Sequence, residues 1–154
     1  MTTDTAASFG SFTIERVLNA NPERVFAAWA TPEGRRRWFK GPNEGWEQVE
    51  RTFNFHVGGQ DRLVGKWRSG LVTDFRATYR DIVPNARIVY VYDMMLDERK
   101  ISVSLATVEI RAEGNRTRMI VTEQGVFLDG YEDGGSRERG TNLQMDELAA
   151  TLPG

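Results

Sequence analysis

Two hydrophobic periods divide this chain. Near the amino terminus, 9–18 reads as a strand, with Phe12 and Ile14 alternating with polar neighbours and Arg16 next in the same parity. Asn21-Pro22-Glu23 then signals a helix start, with an N-capping side chain, a proline where no N–H is needed, and an acid near the positive end. Val25, Phe26 and Trp29 follow at helical spacing. Thr31-Pro32-Glu33 repeats the signal, and because a residue before proline avoids the α region, one helix stops at Ala30 and a second runs to Trp38-Phe39. From Trp46 to Phe127 the period is two, with predicted strands at 46–57, 61–68, 71–82, 86–96, 100–112 and 116–127.

The joints between these segments, such as Gly58-Gly59, Ser69-Gly70 and Gly114-Asn115, are too short for parallel crossovers, so the strands form consecutive antiparallel hairpins. A glycine-rich loop at 129–135 closes the series. Ser136 is the expected cap of a last helix, along which Met145, Leu148, Ala149 and Leu152 make an apolar stripe. An antiparallel sheet needs one face covered, and this helix is the long amphipathic element available. The predicted fold is α+β, a curved antiparallel sheet gripping a carboxy-terminal helix, with two short helices after the first strand and one domain over 1–154.

Composition narrows the function classes. With 20 basic and 22 acidic residues among 154, the net charge of −2 supplies no field to recruit nucleic acid or an anionic membrane. Cysteine is absent, which removes disulfides and thiolate chemistry and suits a reducing cytoplasm. The first residues lack a signal-peptide pattern, and no apolar run is long enough to span a bilayer.

Several stretches resemble one family. Ile14-Glu15-Arg16, Asn21-Pro22-Glu23-Arg24-Val25-Phe26, Ala28-Trp29, Thr31-Pro32-Glu33 and Trp38-Phe39 are similar to the opening of the START-like (SRPBCC) family named for homology to the activator of the ninety-kilodalton heat-shock protein's ATPase. Val57-Gly58-Gly59, 84–88, 115–119, 121–125 and 148–152 continue the match over nearly the whole chain. The resemblance implies a helix-grip fold with an interior cavity between helix and sheet. Relatives often carry glycine-tryptophan at the start of the last helix. This chain has Gly140-Thr141, which implies more space under the helix or looser docking.

Strand parity proposes what lines that cavity. Phe75, Ala77 and Tyr79 share a face, as do Ile88, Tyr90, Tyr92 and Met94, and as do Met119, Val121 and Glu123. The expected ligand-binding set is Trp29, Trp38, Phe75, Tyr79, Tyr90, Tyr92, Met94, Met119, Val121, Glu123, Thr141 and Met145. Tyrosines suit such a site because they combine apolar area with a polar tip. Each of these residues also reads as ordinary core. An empty apolar cavity of about 300 Å³ would cost on the order of 7 kcal/mol at ~24 cal/mol per Å³, so such a space should hold water or ligand.

The polar candidates each carry two readings. A carboxylate at Glu123 pointing inward must find a partner or have its pKa raised, and it serves either as a ligand anchor or acid/base or as the partner of Arg16, unless the strand frays there and exposes it. His56, the single histidine, lacks the neighbours a catalytic base needs and reads as structural or exposed. Arg35-Arg36-Arg37 reads as a solvated helix face. Gly59 to Lys66 misses phosphate-loop spacing, and Asp129 to Gly134 misses calcium-loop spacing. One histidine and no cysteine argue against zinc, so no metal or cofactor is expected.

The expected function is to enclose a small apolar or amphipathic molecule, with 129–135 as a mobile gate to the cavity. Two other readings stay open: an enzyme of the cyclase or hydrolase type, and a chaperone-associated interaction module. A homodimer and a chaperone partner stay open as partners.

Overall fold

Alternation becomes seven strands in a computed structural model that describes residues 4–42 and 44–152. In chain order the elements are β1 (Ser8–Leu18), α1 (Pro22–Ala30), α2 (Pro32–Trp38), β2 (Trp46–Phe53), β3 (Gln60–Trp67), β4 (Val72–Val83), β5 (Arg87–Leu96), β6 (Arg99–Glu113), β7 (Arg116–Phe127) and α3 (Ser136–Ala150). One sheet holds all seven strands in the order β1-β7-β6-β5-β4-β3-β2, and every neighbouring pair is antiparallel. The two short helices therefore carry the chain from one sheet edge to the other, and five hairpins bring it back beside β1. This is the helix-grip α+β architecture that the sequence predicts.

The helix starts behave as their residues dictate. Asn21 accepts the Arg24 N–H at 2.9 Å, and Thr31 accepts the Gly34 N–H at 3.0 Å while its own N–H closes α1 on Ala27. The start of α3 differs from expectation. Ser136 is the first helical residue, preceded by Gly135 at φ 81° with no side-chain cap. The left-handed turn at Gly134 and Gly135 instead brings the Asp133 carboxylate to the Arg137 N–H at 3.0 Å.

Register shifts at Gln48/Glu50, Tyr79/Asp81 and Met94/Met95 bend the sheet. The bulge after Tyr79 also flips parity: Tyr79 packs inward, and so does Ile82 three residues later. At the other end of β2 the predicted strand 46–57 stops at Phe53. Turn hydrogen bonds from His56 to Asn54 and from Gly59 to His56 take over the backbone there, leaving His56 exposed on the turn.

The largest departure in the core is Arg35. The solvated-face reading holds for Arg36 and Arg37, but Arg35 is 1% exposed. Its Nη2 meets Asp61 Oδ2 at 2.8 Å, and Nε donates to the same oxygen at 3.0 Å. The Tyr79 hydroxyl donates to that oxygen as well, at 2.8 Å. The guanidinium lies 3.8 Å from the Phe39 ring centroid and 4.9 Å from that of Trp38. Burial alone would lower the arginine's pKa, but Asp61 and the tyrosines beside it more than offset this and raise it. The pair pins α2 to β3, and removing one member leaves a buried charge. Asp61→Asn should cost about 3–5 kcal/mol in urea unfolding. A loss below about 1 kcal/mol would show that Arg35 finds another partner or water.

Candidate functional site

A cavity of about 980 Å³ opens between the concave sheet face, α3 and the two short helices. Its buried walls include Trp29, Trp38, Phe39, Leu63, Phe75 and Tyr90. Its rim carries more exposed residues, among them Lys40, Trp67, Leu143 and Glu147. Leu143 is 67% exposed, unusual for a leucine on a helix that otherwise covers the sheet.

The structure brings nine of the twelve candidates together around this cavity. Trp29, Trp38, Phe75, Tyr90, Tyr92, Met94, Val121, Glu123 and Thr141 all line the cavity. Tyr79, Met119 and Met145 do not. Tyr79 is turned toward Asp61 and packs edge-on against Phe55 with centroids 4.8 Å apart. Met119 is fully buried with its sulfur accepting the Trp29 indole N–H at 3.4 Å, and Met145 sits in the core beside Leu148.

Trp46 was missed. Its indole covers Gly41 and Gly65 so closely that neither position has room for a Cβ, and its N–H donates to Thr73 Oγ1 at 3.3 Å. This ring ties the 39–42 lip of the cavity to β3 and β4.

The polar end of the cavity is built from three strands and α3. Tyr92 on β5 donates its hydroxyl to Glu123 Oε1 on β7 at 2.5 Å. Arg137 on α3 donates Nη1 to the Tyr92 oxygen at 3.0 Å and to Ser104 Oγ at 3.2 Å, and Nη2 to Ser102 Oγ at 2.9 Å. Glu123 and Tyr92 are buried while Arg137 is half-buried. Arg137 was also missed, because an arginine in a first helical turn normally reads as solvated. Its four-residue spacing to Thr141 and Met145 was the available signal, since it puts all three on the face toward the sheet.

Glu123 does not pair with Arg16, as one reading expected. Arg16 reaches α3 instead, meeting Asp146 at 3.0 Å and Asn142 at 3.0 Å. Burial raises the Glu123 pKa, and the Tyr92 hydroxyl and Arg137 charge offset that only in part. Burial also raises the Tyr92 phenol well above its ordinary value, with the Glu123 charge next in effect.

A smaller cavity of about 310 Å³ lies on the far side of this cluster, bordered by Phe9, Phe12, Phe127 and Asp133. Glu123 and Arg137 line both cavities. The 129–135 loop contributes Asp133, Gly134 and Gly135 to the smaller one and nothing to the larger, so the rim of the larger cavity is formed elsewhere. His56 lines neither. Among the described residues, no three acidic or histidine side chains cluster as metal ligands, and no helix is long and apolar enough to cross a membrane.

The family model described as "Activator of Hsp90 ATPase homolog 1-like protein" matches residues 19–153. The chain belongs to that family. Among solved structures it is similar to an uncharacterised protein from Rhizobium leguminosarum, at 45% identity and a TM-score of 0.93 over 97% of this chain and 98% of that one. It is also similar to Mll3558 from Rhizobium loti, at 38% identity and a TM-score of 0.88 over 96% and 99% of the two chains. DynU16, a protein in the dynemicin biosynthetic locus, shares the fold at 13% identity and a TM-score of 0.68, over 92% of this chain and 46% of its own. No curated protein matches the chain. The fold of this family commonly binds hydrophobic ligands.

The raised Glu123 pKa gives a stability signature. Between the ordinary value of 4.5 and the higher value in the folded chain, the folded state binds more protons than the unfolded one. Stability contributed by this group is therefore present at low pH and lost as pH rises through that window. Glu123→Gln should gain on the wild type as pH is raised from about 4 to about 8 in urea-midpoint measurements. The opposite slope would mean that Tyr92 and Arg137 outweigh burial.

Proposed function

We propose that this protein binds a small, largely apolar molecule in the cavity of about 980 Å³, as a carrier, sensor or sequestering protein. The observation that carries the reading is the shape of the site's chemistry: aromatic walls on three sides and one polar cluster, Tyr92, Glu123 and Arg137, where the ligand's polar end would sit. That composition is what drug-sized ligands require, with apolar area for affinity and a few placed polar groups for orientation. Trp29, Trp38, Phe75, Tyr90, Met94, Val121 and Thr141 are the contacts for the apolar body. The pairing of a buried carboxylic group with a tyrosine favours one second reading, acid–base catalysis on a bound ligand by Glu123.

Native mass spectrometry of protein purified from its own host tests the main reading. A small-molecule mass increment that disappears on denaturation is expected, and its absence together with failure to bind any apolar probe would overturn the proposal. A bound species that emerges chemically changed would favour the enzymatic reading.

Thr141 lines the cavity on α3, with its hydroxyl turned back to the Arg137 carbonyl at 2.8 Å. Thr141→Trp should project an indole into the space, weakening an apolar probe roughly tenfold or more. Thermal unfolding should show unchanged or improved stability, because apolar contact replaces solvent. Destabilisation by about 1–3 kcal/mol with unchanged probe affinity would mean that the site is already packed.

A further inference from the structure

The polar end of the cavity presents an uneven set of donors and acceptors. Glu123 has two oxygens. Oε1 accepts the Tyr92 hydroxyl at 2.5 Å, while Oε2 has no partner among the described residues. Fully enclosed side-chain atoms without partners are, among those residues, Nη1 of Arg35 and Oδ1 of Asp61. Oε2 of Glu123 is therefore not fully enclosed, and the residue borders both cavities. An ionised carboxylate is acceptor-only, so the group that completes this oxygen must be a donor.

Arg137 offers the reverse arrangement only in part. Its Nη1 and Nη2 are committed to Tyr92, Ser104 and Ser102, and its charge already lies beside Glu123. These bonds use three of the five guanidinium N–H donors, both on Nη1 and one on Nη2, so the fork on the Nη1 side is occupied and a ligand carboxylate is left only the Nε–Nη2 edge, beside the Glu123 charge. The remaining charges around the cavity are Lys40, Asp146 and Glu147, with Asp146 paired to Arg16. Counting Glu123 and Arg137, the lining carries three acids and two bases. A ligand carboxylate would enter beside Glu123 and force one of the two acids to take up a proton.

We propose that the cavity selects neutral ligands that present a hydroxyl donor, an alcohol or a phenol, to the open oxygen of Glu123, and that it discriminates against carboxylates of the same size. The inference rests on the ligand-binding reading and specifies the ligand class within it. Tyr92 and Arg137 position the carboxylate: the phenol holds Oε1, and the guanidinium holds the phenol. The apolar walls contribute area without distinguishing among end groups, so end-group selectivity depends on Glu123.

Three pyrene probes of similar size separate the possibilities: 1-pyrenemethanol, its methyl ether, and 1-pyrenecarboxylate. Energy transfer from the cavity tryptophans Trp29, Trp38, Trp46 and Trp67 reports binding directly. At pH 8, the alcohol should bind on the order of ten- to a hundredfold more tightly than the ether, as expected for a hydrogen bond to a charged acceptor. The carboxylate should be weaker still. Glu123→Gln, whose amide both donates and accepts, should bring the carboxylate to within a few-fold of the alcohol while leaving the ether's affinity unchanged. Glu123→Leu provides a second variant that removes the acceptor without adding a donor, and it should abolish the preference for alcohol over ether.

Equal affinity of alcohol and ether, or a carboxylate that binds at least as tightly as the alcohol, would overturn this inference and leave the ligand-binding reading standing. Failure of all three probes to bind would overturn this inference, and together with the absence of a native mass increment and of binding by any other apolar probe it would overturn both.

Discussion

The concave face of a seven-stranded antiparallel sheet must be covered, and one fifteen-residue helix is too little to cover it. Three register shifts bend the sheet around α3, and the two short helices close part of what remains. Along α3 the cover is uneven. Met145 and Leu148 pack against the core, whereas an adjoining stripe of Arg137, Gly140, Gln144 and Glu147 borders the cavity along the length of the helix. Small and polar residues where a large aromatic could sit leave the space open. The cavity is therefore a direct consequence of which face of the helix is small and polar.

Two buried polar clusters flank the aromatic wall, and they differ in one respect. Arg35, Asp61 and Tyr79 form a closed set with no side chain lining the large cavity, and their role is to fix α2 on β3. Tyr92, Glu123 and Arg137 resemble it in composition, an arginine, an acid and a tyrosine, but open onto cavity space on both sides. Burial raises both tyrosine pKa values, so each phenol stays protonated and serves as a donor. The same chemistry is structural in one place and available to a ligand in the other, because the unpaired acceptor of the first cluster, Oδ1 of Asp61, is fully enclosed, whereas the second cluster borders cavity space.

Legibility in the sequence followed the reach of each signal. Period-two alternation placed β7 at 116–127 and grouped Tyr90, Tyr92 and Met94 on one face, because parity is a local property of the backbone. Parity failed where the backbone broke it: the bulge after Tyr79 brought Ile82 inward out of phase, and turn hydrogen bonds ended β2 before His56. Proline and capping residues located α1 and α2. The cap of α3 was misplaced because two glycines in left-handed conformation let Asp133 reach past Ser136.

What the amino-acid sequence determined by itself was the order and type of the elements and their antiparallel pairing, since these follow from spacing and turn chemistry within short stretches. The partners of the charged residues were decided only by tertiary structure. Arg35 and Arg37 are two residues apart in one basic run, yet one is buried and the other solvated. Arg16 went to Asp146 rather than to Glu123, and Arg137 came into the cavity from a helix turn that reads as surface. Charges act through space, across 45 residues between Arg137 and Tyr92, and that distance is closed by packing rather than by any pattern along the chain.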